Sequence, residues 1–187
     1  MPQDPSYLSQ AAHGRGQLDA PAMVCAVDRA LIVNLADAPA RSHPHRATQI
    51  DWEPEDAPWP DTGVNVQVMA PGQPNCRYHS EAVQEDFLVL HGECTAIIDG
   101  EEHLLRQWDF FHCPAGVDHV FVGAGDGPCA VLMIGSRRVD ECRYPVSEVA
   151  ARYGASVSAE TTEPDVAYAD WRRAPWEAVP SPWPLGG

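Results

Sequence analysis

The sequence predicts an all-β fold, and three observations carry that reading. Between residues 64 and 136, short β-rich runs alternate with turn signals about every 8 to 12 residues: VNVQVMA, NCRYH, EDFLVLH, ECTAIID, EEHLL, DFFHC, HVFVG and CAVLMIG. That spacing belongs to a sandwich or barrel. Asp99-Gly100 sits between two of the runs and suits a two-residue type I′ hairpin, in which both residues need positive φ. The 18 prolines and 14 glycines among 187 residues favour turns over long helices.

Taken in order, residues 1–22 are polar and Gly/Ala-rich with little periodicity and read as a loose arm. MVCAVDRALIVNL (23–35) reads as one or two strands. The following stretch, 42–63, is too rich in Pro for regular elements and is expected to be a long loop or a strand-bearing wrap, so 23–63 flanks a barrel over 64–136. Gly92, Pro114-Ala115-Gly116 and Gly125-Asp126-Gly127-Pro128 mark further turns inside it. In 137–187, Ser147 as N-cap, Glu148 in the first turn and Gly154 as stop predict a short helix over 147–153. The remaining tail carries Trp171, Trp176 and Trp183. So much aromatic surface is expected to clip onto the barrel, with a subunit contact or a lid as alternatives.

Composition removes whole classes of function. The 27 acidic against 12 basic residues give a formal charge of -15, which argues against nucleic acid and anionic membranes as partners. Every basic residue is Arg, so Schiff-base chemistry and a P-loop lysine are excluded. The six cysteines form no Cys-x-x-Cys pair, which removes zinc ribbons and thioredoxin-like motifs. The opening MPQDPSYLSQ has no leader-like pattern, and the longest apolar run, Cys129 to Ile134, is too short to span a bilayer. A cytoplasmic protein with reduced thiols is expected.

The chemistry lies in 71–93 and 105–125. Strand alternation puts His79 and Glu81 on one face, and after a short turn Glu85 can return to it at the start of the next strand. His119 opens a later strand behind a Pro-x-Gly turn and can supply a ligand from across a barrel. Imidazole and carboxylate together suit one divalent transition metal, Fe, Mn, Ni or Zn. Glu81 is expected to be a fourth ligand, with a partner of a His or a general base acting catalytically beside the ion as the alternatives. The bland reading of the cluster is a hydrogen-bonded polar group in a barrel without metal. Phe87 alternates with Glu85 and Phe121 with His119, so both are expected to shape an apolar pocket. Arg77, two residues from His79, is expected on the same face. His43-Pro44-His45 reads as solvated loop, His112 as pointing away from the cavity, His91 and His103 as surface, and Cys76 and Cys113 as small buried hydrophobes.

These residues resemble the paired motifs of the cupin superfamily. Gly72, His79, Glu85 and Gly92 match the first motif, and Pro114, Gly116 and His119 the second. The resemblance covers roughly residues 70 to 136 and implies a double-stranded β-helix, or jelly-roll barrel, with the metal inside it. Three positions depart from the family pattern: Glu81 stands in place of the second His, Trp108 in place of a Gly, and Gly123 in place of the terminal Asn. His79, Glu85 and His119 still form a two-His, one-carboxylate set similar to that of 3-hydroxyanthranilate dioxygenases. Those enzymes place substrate-binding arginines near positions occupied here by Asn75 and Gly123, so the resemblance implies the metal site and not the substrate.

The expected function is a metal-dependent enzyme on a small organic molecule, dioxygenase-like. A sugar isomerase or epimerase and a non-catalytic small-molecule binding module are the alternatives. A phosphosugar isomerase would want basic residues near the cavity, for which Arg77 and Arg106 are the candidates. A homodimer is expected from the exposed strand edges of such a barrel.

Overall fold

The computed structural model describes residues 25–27, 30–53, 59–138 and 141–183; the arm expected over 1–22 lies outside them. The described chain opens with a short hairpin, β1 (Cys25–Val27) and β2 (Ala30–Ile32). A second hairpin, β3 (Ala40–His43) and β4 (Arg46–Ile50), lies in the stretch expected to be too proline-rich for regular elements. Pro44 falls in the turn between the two strands, where its missing N–H costs no ladder bond, so the segment carries strands despite its prolines.

The barrel follows as β5 (Thr62–Met69), β6 (Ser80–Glu81), β7 (Glu85–His91), β8 (Glu93–Ile98), β9 (Glu101–Arg106), β10 (Phe110–Cys113), β11 (His119–Ala124) and β12 (Cys129–Ser136). Behind it come β13 (Cys142–Arg143), the single-turn helices α1 (Glu148–Ala151) and α2 (Pro164–Ala167), a 3-10 turn at Trp171–Arg173, and β14 (Glu177–Val179). A large antiparallel sheet runs β10-β7-β12-β5-β4-β3-β14, and a smaller one β11-β8-β9. On the free side of β11, bridges at Pro71, Pro74 and His79 lead on to β6 and β13. The two sheets face each other, as the double-stranded β-helix requires.

Alternation decides the inside. Met69, Phe87, Val89, Val131 and Met133 from the large sheet meet Cys94, Ala96 and Phe121 from the small one in a buried core. The opposite face of β5 and β4 packs Val66, Val68 and Ile50 into a second cluster under Ala38 and Ala40. Asp99 and Gly100 adopt φ of 46° and 84°, as the type I′ hairpin demands. Gly92 is required for a different reason, since a Cβ there would stand 2.4 Å from the Pro128 carbonyl oxygen.

The tail is clipped down, mainly by arginines. Trp171 lies under the Arg77 guanidinium at 4.1 Å, and Trp176 takes Arg41 and Arg46 at 5.1 Å each. His43, expected to be solvated, is buried beneath this tail, with Nε2 3.1 Å from the Trp171 carbonyl and 3.2 Å from that of Ala174. Burial accordingly lowers its pKa, although the Ala174 carbonyl works the other way. At α1 the Ser147 hydroxyl accepts from Ala150 N at 3.1 Å, and Gly154 ends the turn with φ of 69°. No helix among the described residues is long and apolar enough to cross a membrane.

Candidate metal centre

His79 precedes β6 and exchanges both main-chain hydrogen bonds with His119 at the head of β11, at 3.0 and 2.7 Å. Such a pair puts both side chains on one face. Their ring centroids stand 4.7 Å apart. Glu85 enters from the large sheet, at the start of β7 opposite Cys113 and Gly135, and its Oε2 reaches to 3.2 Å from His119 Nε2. One donor atom from each of His79, Glu85 and His119 lies within 4.8 Å of the others. Ligands of one ion at about 2.1 Å stand about 3 to 3.5 Å apart, inside that limit.

The tautomers decide what the cluster is for. His79 Nδ1 lies 2.9 Å from the Arg77 carbonyl and His119 Nδ1 3.1 Å from the Val117 carbonyl. A carbonyl only accepts, so both Nδ1 atoms carry the hydrogen, and in the neutral rings both Nε2 lone pairs face the carboxylate. Cysteine sulfurs accompany each Nδ1, Cys76 at 3.6 Å and Cys113 at 3.4 Å. Glu85 Oε2 is buried without an aligned hydrogen-bond donor. With both rings neutral, two imidazole lone pairs and that carboxylate oxygen in one dry place are costly together, and either a proton on His119 or a metal ion among them relieves the cost. The donor set therefore fits a divalent transition metal.

The charges in the metal-free chain agree. Burial and the neighbouring His119 push His79 down to about 4. Burial opposes charge on His119 as well, but the Cys113 sulfur and the Glu85 carboxylate against it hold it up to about 10. Burial would raise the Glu85 carboxyl, yet the two imidazoles keep it below its usual range. A proton on His119 stands where a metal ion would neutralise the same carboxylate.

The remaining expected residues separate. Phe87 and Phe121 are buried beside the cluster, with rings 5.3 and 6.2 Å from that of His119. Glu81 is close, its Oε1 3.8 Å from His79 Nε2, but it stands outside the mutually close donor set. Its main chain does other work: the Glu81 carbonyl accepts from Gly116 N at 2.8 Å, which ties the Pro-x-Gly turn before His119 to the first motif. Arg77 does not line the pocket. Its guanidinium turns away to the carbonyls of Ala167, Gly154 and Ser156, because residues 70–79 form isolated bridges and not a strand of period two. Arg106 lies at the far end of β9 from Glu101, which is the residue level with His119 across β8. His112 pairs with Asp86 on the outer face at 2.7 Å. Cys76 and Cys113 are buried, and with Cys94, Cys129 and Cys142 they are free thiols.

Two contacts were not foreseen. Phe111 stacks on Phe87 at 5.7 Å, and its alternation with Cys113 could have revealed it. Tyr144, fully buried, lies over the His79 ring at 6.1 Å. It comes from outside both motifs and left no local signal.

Residues 65–135 match the family model described as the cupin domain. The central segment is a cupin domain. Solved structures similar to the chain include a cupin-superfamily sugar phosphate isomerase from Silicibacter pomeroyi, 25% identical over 52% of this chain and 62% of its own, with a TM-score of 0.45. The shared part is thus under two thirds of that isomerase. A polyketide cyclase from Streptomyces resistomycificus is 16% identical over 57% of this chain and 79% of its own, with a TM-score of 0.50. A Klebsiella pneumoniae protein with a double-stranded β-helix domain is 19% identical over 57% and 89%, with a TM-score of 0.48. These likenesses concern the cupin fold. No curated protein matches the chain.

Proposed function

We propose that the cupin barrel binds one divalent transition metal through His79, Glu85 and His119 and acts as an enzyme on a small organic molecule, with dioxygenase-like chemistry as the leading form. The observation that carries this is the convergence of two Nδ1-anchored imidazoles on one buried carboxylate. Two His and one carboxylate occupy one side of an ion and leave positions open for exogenous ligands, the arrangement of non-haem Fe(II) oxygenases. When bound, the metal supplies a Lewis-acid centre that polarises a coordinated oxygen or, as iron, a redox couple.

The chain's own residues do the rest. Phe87, Phe111 and Phe121 pack beside His119 and keep water from that side. Glu81, part-buried and outside the donor set, is placed to accept and return a proton from a molecule seated next to His79. That carboxylate also supports a second reading, isomerisation or epimerisation of a sugar by proton transfer. It does not extend to a phosphosugar bound through Arg77 or Arg106, since both lie away from the cluster.

For assembly, we propose a homodimer formed through the outer edge of the large sheet. What supports it is β10 as the end strand, with Trp108 and Phe110 exposed beside it.

The functional test uses Fe(II)-loaded protein in two assays: oxygen uptake with a panel of catechols and hydroxy acids, and entry of solvent deuterium into aldoses and ketoses. Oxygen uptake abolished by Glu85→Gln supports the leading reading. Deuterium entry without oxygen uptake moves the assignment to the second. Neither activity in metal-replete protein contradicts both.

A further inference from the structure

We propose that Arg77 is a positioning residue for the metal centre, through which the C-terminal segment from Gly154 to Trp171 sets the orientation of His79. The inference rests on the metal-binding reading and adds a determinant outside the barrel motifs.

Arg77 is 4% exposed, rare for a charged side chain, and its whole guanidinium is spoken for by residues far along the chain. Nε donates to the Ala167 carbonyl at 3.0 Å, and Nη1 donates to those of Gly154 at 2.7 Å and Ser156 at 3.0 Å. Nη2 pairs with the Asp170 carboxylate, and the Trp171 ring lies against the guanidinium at 4.1 Å. The fork thus gathers the turn after α1, the end of α2 and the 3-10 turn into one unit.

The main chain of the same residue carries that grip to the metal site. Arg77 N donates to the Tyr168 hydroxyl at 3.1 Å, and the Arg77 carbonyl accepts from His79 Nδ1 at 2.9 Å. Residues before His79 have no continuous ladder to fix them; they are held by isolated bridges at Pro71, Pro74 and His79. The tail adds to that restraint on both sides of Arg77, since Tyr78 N donates to the Ala155 carbonyl at 2.8 Å. It also backs the residue that covers the ring, since Tyr144 lies over His79 at 6.1 Å and Tyr168 meets Tyr144 edge-on at 5.7 Å. His119 is oriented differently. Its Nδ1 bonds Val117 and its sulfur neighbour is Cys113, both within its own barrel turn. The tail therefore governs one of the two imidazoles and leaves the other alone.

The test uses the full chain with Arg77→Met, which keeps the apolar stem and removes the donors, and Tyr168→Phe, which deletes one hydroxyl. Co(II) affinity by competition with a chromogenic chelator should fall at least tenfold in Arg77→Met and about threefold in Tyr168→Phe, with the strand circular dichroism unchanged. Arg77→Lys should recover only part of the loss, because an ammonium cannot reach three carbonyls as a fork does. A second readout needs no metal: imidazole nitrogen spectra of the metal-free chain should show His79 as the Nδ1–H tautomer in wild type and mixed in both variants, with the His119 signals unmoved. Wild-type affinity and an unchanged His79 tautomer in Tyr168→Phe would overturn the inference, even if Arg77→Met fails to fold. A wild type that binds no Co(II) but shows the tautomer change would instead remove the metal reading and leave the coupling standing.

Discussion

Glu85 Oε2 stands 3.2 Å from His119 Nε2, yet it is buried without an aligned donor. The contact joins the two sheets, since Glu85 begins β7 in the large one and His119 begins β11 in the small one. A cation between them would hold the barrel together at its most polar point.

Chelation should therefore lower thermal stability without unfolding the barrel. A metal present at a hundredfold excess over its Kd adds about 2.7 kcal/mol to the folded state, while the apolar core between the sheets remains without it. Melting with and without a chelator checks this, and strand circular dichroism should persist in the chelated chain at room temperature.

Glu81→Gln should keep metal affinity within about threefold and lose turnover. Sequence alternation points to ligation by Glu81, but its oxygen lies outside the donor set and 3.8 Å from His79 Nε2. Chelator competition measures the first quantity. A loss of affinity above about thirtyfold would return Glu81 to the ligands.

Metal loading should release about one proton at neutral pH. His119, held up to about 10, carries a proton in the metal-free chain, and His79, pushed down to about 4, does not. Ligation needs both rings neutral, so affinity should rise about tenfold per pH unit between those limits. For folding, a pKa raised above the ordinary 6.5 stabilises the metal-free chain below that pH, and the contribution disappears as pH rises through 10. Titration calorimetry in two buffers of different ionisation enthalpy counts the protons.

Trp108→Gly should stabilise the chain by about 1 kcal/mol. Trp108 occupies the left-handed region at φ of 76° and is 68% exposed, so within the monomeric chain, at concentrations too low for the proposed dimer, its side chain recovers little of the strain by burial. Urea unfolding should show a higher midpoint with an unchanged slope.

Much of this centre was legible in the sequence because it depends on local rules. Asp99-Gly100 demanded one hairpin, and the motif spacing brought His79, Glu85 and His119 together once the strands were counted. What failed were steps that assumed regularity or needed distant partners. Arg77 was placed by counting two residues from His79, but residues 70–79 are bridged and not laddered, so alternation does not apply. His43 looked solvated because its covering residues, Trp171 and Ala174, lie more than 120 positions later. Tyr144 reaches His79 through packing that no local pattern encodes.

The central claim is that His79, Glu85 and His119 hold a metal ion, and element analysis of tag-free protein tests it most directly. After refilling with Fe(II), Mn(II), Ni(II) or Zn(II) and desalting, the wild type should retain about one equivalent per chain and His119→Ala only background. Equal metal content in the two proteins, or none in the wild type, would contradict the account.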